Sequence, residues 1–139
     1  MIDFASAFEV IKNSDIIFVA LPSVAIIETL AQLKSYFKQD VLLVNLSKGL
    51  FVGGVTIVDS IRETLNTDNV VTLKGPSFAI EMIEHADTLL TLGYTTNQQY
   101  ELINKIINNT SIHLDCTTDI RGVEVLSVLK NIYALVIGV

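Results

Sequence analysis

Five short apolar runs, spaced along the chain and separated by stretches with helical periodicity, constrain this sequence more than any other feature. Four of them, Asp15–Leu21 (DIIFVAL), Val41–Leu46 (VLLVNL), Asn69–Leu73 (NVVTL) and Asp87–Leu92 (DTLLTL), are apolar almost throughout, as strands covered on both faces are. The fifth, Ser111–Cys116 (SIHLDC), alternates, with Ile112, Leu114 and Cys116 on one side and Ser111, His113 and Asp115 on the other, which predicts a half-exposed or edge strand. Ser6 and Glu9 have capping-box spacing ahead of Val10 and Ile11, and Asn97 is placed to cap the helix that holds Ile103, Ile106 and Ile107. Ile26, Ile27, Leu30, Leu33 and Phe37, and then Val58, Ile61 and Leu65, follow helical spacing. Strand and helix alternating at this interval predict right-handed βαβ units, hence an α/β, doubly wound, mostly parallel sheet with helices on both faces.

In such sheets ligands sit beyond the carboxyl ends of the strands. The residues there are Leu21-Pro22-Ser23, Leu46-Ser47-Lys48-Gly49 and Leu73-Lys74-Gly75-Pro76-Ser77, small, polar or cationic as a phosphate or cofactor crevice requires. A nucleotide-binding domain of this class normally opens with a strand and a Gly-x-Gly-x-x-Gly turn. This chain has no such turn, and its Gly53-Gly54 pair lacks the third glycine. The chain begins on a helix leading into DIIFVAL, where the second half of such a domain is expected to start.

Charge and composition narrow the function classes. The net charge is -6 and the nine Lys and Arg residues are scattered, so no cationic footprint for nucleic acid or an anionic membrane is present. Cys116 stands alone, which leaves no intrachain disulfide or cysteine-based zinc site and fits a reducing, cytoplasmic setting. Met1-Ile2-Asp3-Phe4 has no secretory character. The run 123–139 is apolar but carries Glu124, Lys130 and Asn131, which argues for a helix buried against other protein rather than a membrane span. His113 and Cys116, three apart on a strand, face opposite ways and make a poor nucleophile pair, and His85 with Glu81 and Glu84 reads as a solvated face, so no metal site is expected.

Four segments in order carry a more specific signal: VALPS (19–23), LSKGL (46–50), GPSFAIE (75–81) and GVEVLSVLKNIYAL (122–135). Together they resemble the NAD(P)-dependent glycerol-3-phosphate dehydrogenases. The resemblance implies a partial Rossmann-like domain, with residues 1–119 as the second half of the nucleotide-binding domain and 120–139 as the first helix of an all-helical substrate domain. It implies oxidation of sn-glycerol 3-phosphate to dihydroxyacetone phosphate, or the reverse, with NAD or NADP, in the service of glycerophospholipid synthesis. It also implies a homodimer when intact. Lys130 matches the proton-transferring lysine, and Leu126, Leu129, Tyr133 and Ala134 around it are expected to desolvate it and lower its pKa. Lys48 matches a lysine that touches cofactor and substrate. Gly75, Ser77 and Asn131 fall at substrate-contacting positions, Ala79 and Pro22 at cofactor-contacting ones, and Glu81 at a structural one.

The sequence departs from the family where Glu84-His85-Ala86-Asp87-Thr88 replaces a Gly-x-Pro-Thr stretch, and the family's later Arg-Gly segment, which holds the substrate phosphate, has no counterpart in these 139 residues. Two other readings stay open: a related two-domain dehydrogenase of the 3-hydroxyacid or 6-phosphogluconate type, and a non-catalytic interaction module. The 139 residues by themselves are expected neither to bind NAD tightly nor to catalyse, and the last helix is expected to be underpacked, displaced or covered by a neighbour.

Overall fold

A computed structural model describes residues 4–75 and 86–137. Helix α1 (Phe4–Asn13) leads into strand β1 (Ile16–Val19), followed by α2 (Ser23–Leu33), β2 (Leu42–Asn45), α3 (Ile57–Leu65) and β3 (Val70–Lys74). After these come β4 (Thr88–Gly93), α4 (Asn97–Ile107), β5 (Ile112–Thr117) and α5 (Ile120–Ile137). All five strands fall on the apolar runs.

The sheet order is β1-β2-β3-β4-β5, with β1, β2 and β3 mutually parallel and β4 parallel to β5. The β3–β4 pair is antiparallel, with Lys74 opposite Thr91 and Thr72 opposite Gly93. The sheet is therefore mixed at that one seam, since antiparallel pairing returns the chain at the end where β3 stops and needs no full crossover. Apolar content alone does not carry strand direction, so the seam was not readable from the runs. The alternating strand β5 lies at the sheet edge, as its pattern predicts, with Ile112 and Leu114 turned inward and His113 and Asp115 exposed.

Two cores follow from the pleat. On one face Leu43 and Val70 meet Ile26 and Leu30 of α2, Ile57, Val58, Ile61 and Leu65 of α3, and Ile120 of α5. On the other face Leu42, Val44, Val71, Leu73, Leu90 and Leu92 meet Ile103 and Ile107 of α4. Full burial of each such aliphatic side chain contributes roughly 1.5–3 kcal/mol. Helices on both faces of a mostly parallel sheet make this the doubly wound arrangement that the alternation predicts.

Two helix starts differ from expectation. Helix α1 already begins at Phe4, which puts Ser6 inside it rather than at its cap. Helix α4 is capped by Thr96, not Asn97: the Thr96 hydroxyl accepts from the Gln99 N–H, and the Gln99 side chain returns to the Thr96 N–H. The Thr-x-x-Gln spacing is the stronger cap because it satisfies two free donors at once.

Helix α5 begins against the sheet. A Cβ on Gly93 would lie 3.1 Å from the Ile120 Cα, so a larger residue there would push the helix away. Asp119 precedes the helix and accepts from the Gly122 N–H at 2.8 Å, and Gly122 is required for that contact because a Cβ would lie 2.2 Å from an Asp119 carboxylate oxygen. From this anchored start α5 crosses β3 and β4 toward the loops that follow β2 and β3. Among the described residues no helix is long and apolar enough to cross a membrane.

Candidate functional site

The strands β2 and β3 present polar side chains on the face that α5 covers. Asn45 ends β2, and Thr72 and Lys74 stand two apart on β3, so all three point to the same side of the sheet. Each is buried, and so is Glu124 of α5, which is 1% exposed. Asn45 Nδ2 and Thr72 Oγ1 donate to Glu124 Oε1 at 2.7 and 2.6 Å, and the Val58 N–H at the start of α3 donates to Oε2 at 3.1 Å. The carboxylate thus also supplies negative charge to a helix N-terminus.

Lys74, 6% exposed, completes the cluster. Its Nζ lies 3.4 Å from Glu124 Oε1 and donates to the carbonyls of Asn45 and Ser47. Burial brings its pKa down from 10.5 to about 8, outweighing the opposing pull of Glu124, with the nearby Lys48 cation lowering it further. Asn45 Oδ1 accepts from the Ser47 N–H at 2.9 Å, and Ser47 Oγ donates to the Leu21 carbonyl at 2.6 Å, so the loop after β2 is tied to the loop after β1.

Above this cluster opens a cleft of about 370 Å³. Lys48, Lys74, Gly75 and Lys130 line it, together with the carboxylates of Asp115 and Asp119. Three lysines from three elements, the β2 loop, β3 and α5, therefore face one space at the carboxyl ends of the parallel strands. The three cations outnumber the two carboxylates of the lining, which suits an anionic ligand on the lysine side of the cleft. Lys48 sits on a turn whose Gly49 has φ +144°, a conformation closed to most side chains, with Ser23 packed against it.

Of the residues singled out by sequence, Lys130, Lys48 and Gly75 line the same cleft. Pro22 is exposed at the start of α2, whose first turn has no side-chain cap. Asn131 belongs to α5, while Ser77, Ala79 and Glu81 lie outside the described residues. One expectation needs correction, and one residue has a second reason to be there. Lys130 is exposed rather than enclosed, because Leu126, Lys130 and Tyr133 form one outward stripe at helical spacing. Gly75 is required by the sheet itself: a Cβ would come within 2.3 Å of Leu90 Cδ2 and 3.0 Å of the Leu89 carbonyl.

Sequence reasoning passed over the Asn45–Thr72–Lys74–Glu124 cluster. The signal was present as polar residues at i and i+2 in an otherwise apolar strand and one acid in an apolar helix, each needing a buried partner. The alternative pair dissolves: His113 bonds the Asp87 carboxylate at 3.0 Å, and Cys116 is a free thiol whose pKa is pushed up by loss of solvent and by Asp115. Gly53 and Gly54 form an exposed turn with positive φ between Leu50 and Thr56, away from the cleft lining. Among the described residues no group of His, Cys, Asp and Glu is arranged to hold a metal ion.

Comparison with known proteins agrees with the segments that carried the resemblance. The chain is 28% identical over 138 residues to glycerol-3-phosphate dehydrogenase [NAD(P)+] of Neorickettsia sennetsu, covering 99% of this chain and 41% of the relative. It is 33% identical over 134 residues to the protein of the same name from Fusobacterium nucleatum, covering 94% and 40%. Its fold matches the crystal structure of glycerol-3-phosphate dehydrogenase from Coxiella burnetii with a TM-score of 0.81 at 22% identity, over 96% of this chain and 40% of that one. The chain thus spans about two-fifths of the length of these relatives. The profile of the family described as NAD-dependent glycerol-3-phosphate dehydrogenase N-terminus matches residues 3–100, and the chain belongs to that family.

Proposed function

We propose that this chain is part of an NAD(P)-dependent oxidoreductase that interconverts sn-glycerol 3-phosphate and dihydroxyacetone phosphate, and that its cleft is the substrate end of that site. The observation that carries the reading is the convergence of Lys48, Lys74 and Lys130 on one cleft beyond the carboxyl ends of β2 and β3.

The residues present fit part of a nicotinamide dinucleotide. The uncapped first turn of α2 offers free N–H donors beside Pro22, and Lys48 supplies a cation from the neighbouring loop. The bound cofactor would supply a hydride acceptor or donor. In this reading Lys130 Nζ takes the proton of the substrate's secondary hydroxyl, or returns it to the ketone oxygen in the reverse direction, and Asn131 orients the same oxygen. Lys48 contacts both ligands, Gly75 and Ser77 border the substrate, and Ala79 touches the cofactor through its backbone.

Because Leu126, Lys130 and Tyr133 share an exposed stripe, the reading includes a cover for them in the intact enzyme: residues 1–119 belong to the nucleotide-binding domain and 120–139 open a helical substrate domain that encloses Lys130. The intact protein is proposed to be a cytoplasmic homodimer serving glycerophospholipid synthesis. Since residues 1–139 contain no Gly-x-Gly-x-x-Gly turn, calorimetry on them alone is expected to detect no micromolar NADH binding.

Turnover by the full-length protein tests the function. Glycerol 3-phosphate is expected to be oxidised with a kcat/KM well above those for 3-hydroxy acids and 6-phosphogluconate. A preference for either of those substrates would replace this reading with a sister dehydrogenase.

A further inference from the structure

Lys74 and Glu124 form a buried ion pair. Lys74 donates to the carbonyls of Asn45 and Ser47 and lies 3.4 Å from Glu124 Oε1, so among the described residues its ammonium is held from beneath while the side chain borders the cleft. Glu124 takes donors from Asn45 of β2, Thr72 of β3 and the Val58 N–H of α3, and it belongs to α5. Five segments therefore meet at one ion pair: β2, the loop after it, β3, α3 and α5.

Stability alone does not call for such a pair, because a buried salt bridge repays its desolvation poorly and apolar residues of similar volume do as well. What apolar residues would not do is hold the Ser47 carbonyl. That carbonyl belongs to the peptide joining Ser47 to Lys48, and it is gripped by both Lys74 Nζ and Asn45 Nδ2. Glu124 in turn fixes the depth and rotation of α5, the helix that carries Lys130 into the cleft.

We propose that the buried Glu124–Lys74 pair is a positioning unit that sets the Lys48 loop and the Lys130 helix at a fixed separation across the cleft. Its effect on turnover rests on the dehydrogenase reading above; its effect on geometry does not. Both are positioning residues, because each acts through the loop or helix that it holds.

The test uses the full-length protein with the double substitution Glu124→Gln and Lys74→Met, which removes both charges and leaves one amide oxygen to accept from Asn45 and Thr72, at the cost of the Val58 N–H acceptor. The expected result is a folded protein whose kcat falls at least ten-fold with the KM for the nicotinamide cofactor within two-fold of the parent. Added to Lys130→Ala, the same changes are expected to cost much less than they do in the parent, because only the Lys48 loop is left to position. A folded double variant with parental kcat, or losses that multiply with those of Lys130→Ala, would reduce the pair to a structural role.

If the parent turns over no glycerol 3-phosphate, the dehydrogenase reading fails by itself. The positioning claim is then decided by NMR of 13C-dimethylated lysines. The double variant is expected to move the Lys48 and Lys130 signals and leave Lys12 and Lys38 in place, and unmoved Lys48 and Lys130 signals would overturn it. Should the double variant fail to fold, Glu124→Gln alone is read by the same kinetics and spectra.

Discussion

The inner side of α5 and its outer stripe obey different rules. On the inner side Ile120, Val123 and Glu124 are buried against β3 and β4, the start is capped by Asp119, and the buried polar atoms of Glu124 find partners in three other elements. On the outer side Leu126 is 64% exposed, Tyr133 63% and Val136 76%. The inner side is a finished interface and the outer one is an apolar surface with a lysine in its middle. The difference teaches where the site's precision comes from: the position of Lys130 is set from beneath, by buried charge, and not by the exposed side chains beside it.

Breaking the inner side is expected to cost most. Glu124→Ala strands the buried Lys74 cation and the Asn45, Thr72 and Val58 donors, and should lower unfolding free energy by about 3–5 kcal/mol in denaturant titrations. Gly93→Val sets a branched side chain against Ile120 and should cost about 1–3 kcal/mol by the same measurement, with the loss assigned to overpacking.

A smaller effect comes from pH. The folded-state pKa of Lys74, about 8, lies below its unfolded value of 10.5, so between those limits the unfolded chain holds more protons and the group's contribution to stability rises with pH. Below about pH 8 both states are protonated and the contribution is flat. The difference in Tm between parent and Lys74→Met should therefore grow by several degrees in the parent's favour from pH 8 to 10.5, and a constant difference would mean that Lys74 titrates normally. On the outer side Tyr133→Gln and Val136→Ser should shift the stability of residues 1–139 by no more than about 0.5 kcal/mol. A loss of several kcal/mol for those two changes in the full-length protein, with none in the shorter chain, would sharpen the contrast by revealing the cover.

Much of this was legible in the sequence. Every strand lies on an apolar run, since covered strands admit few alternatives, and the edge strand announced itself through the alternation of Ile112, His113, Leu114 and Asp115. Strand direction was not legible, because antiparallel β4 and parallel β3 have the same apolar content. Lys48, Gly75 and Lys130 were reached through motif order, and they line one cleft. Glu124 and Lys74 were missed because their meaning lies in each other, and a pairing across 50 residues leaves no local period. The glycines carried a mixed message: Gly75 and Gly122 stand in the motifs that mark the family, yet their absent side chains make room for Leu90 and Asp119.

The central claim is that Lys130, on the exposed stripe of an anchored helix, moves the proton. Steady-state kinetics of full-length Lys130→Ala with glycerol 3-phosphate and NAD(P) tests it most directly. The account predicts a kcat lower by about 100-fold or more from a variant that folds as the parent does. A variant with near-parental kcat would contradict it and leave Lys130 as a surface lysine whose stem lies along apolar neighbours.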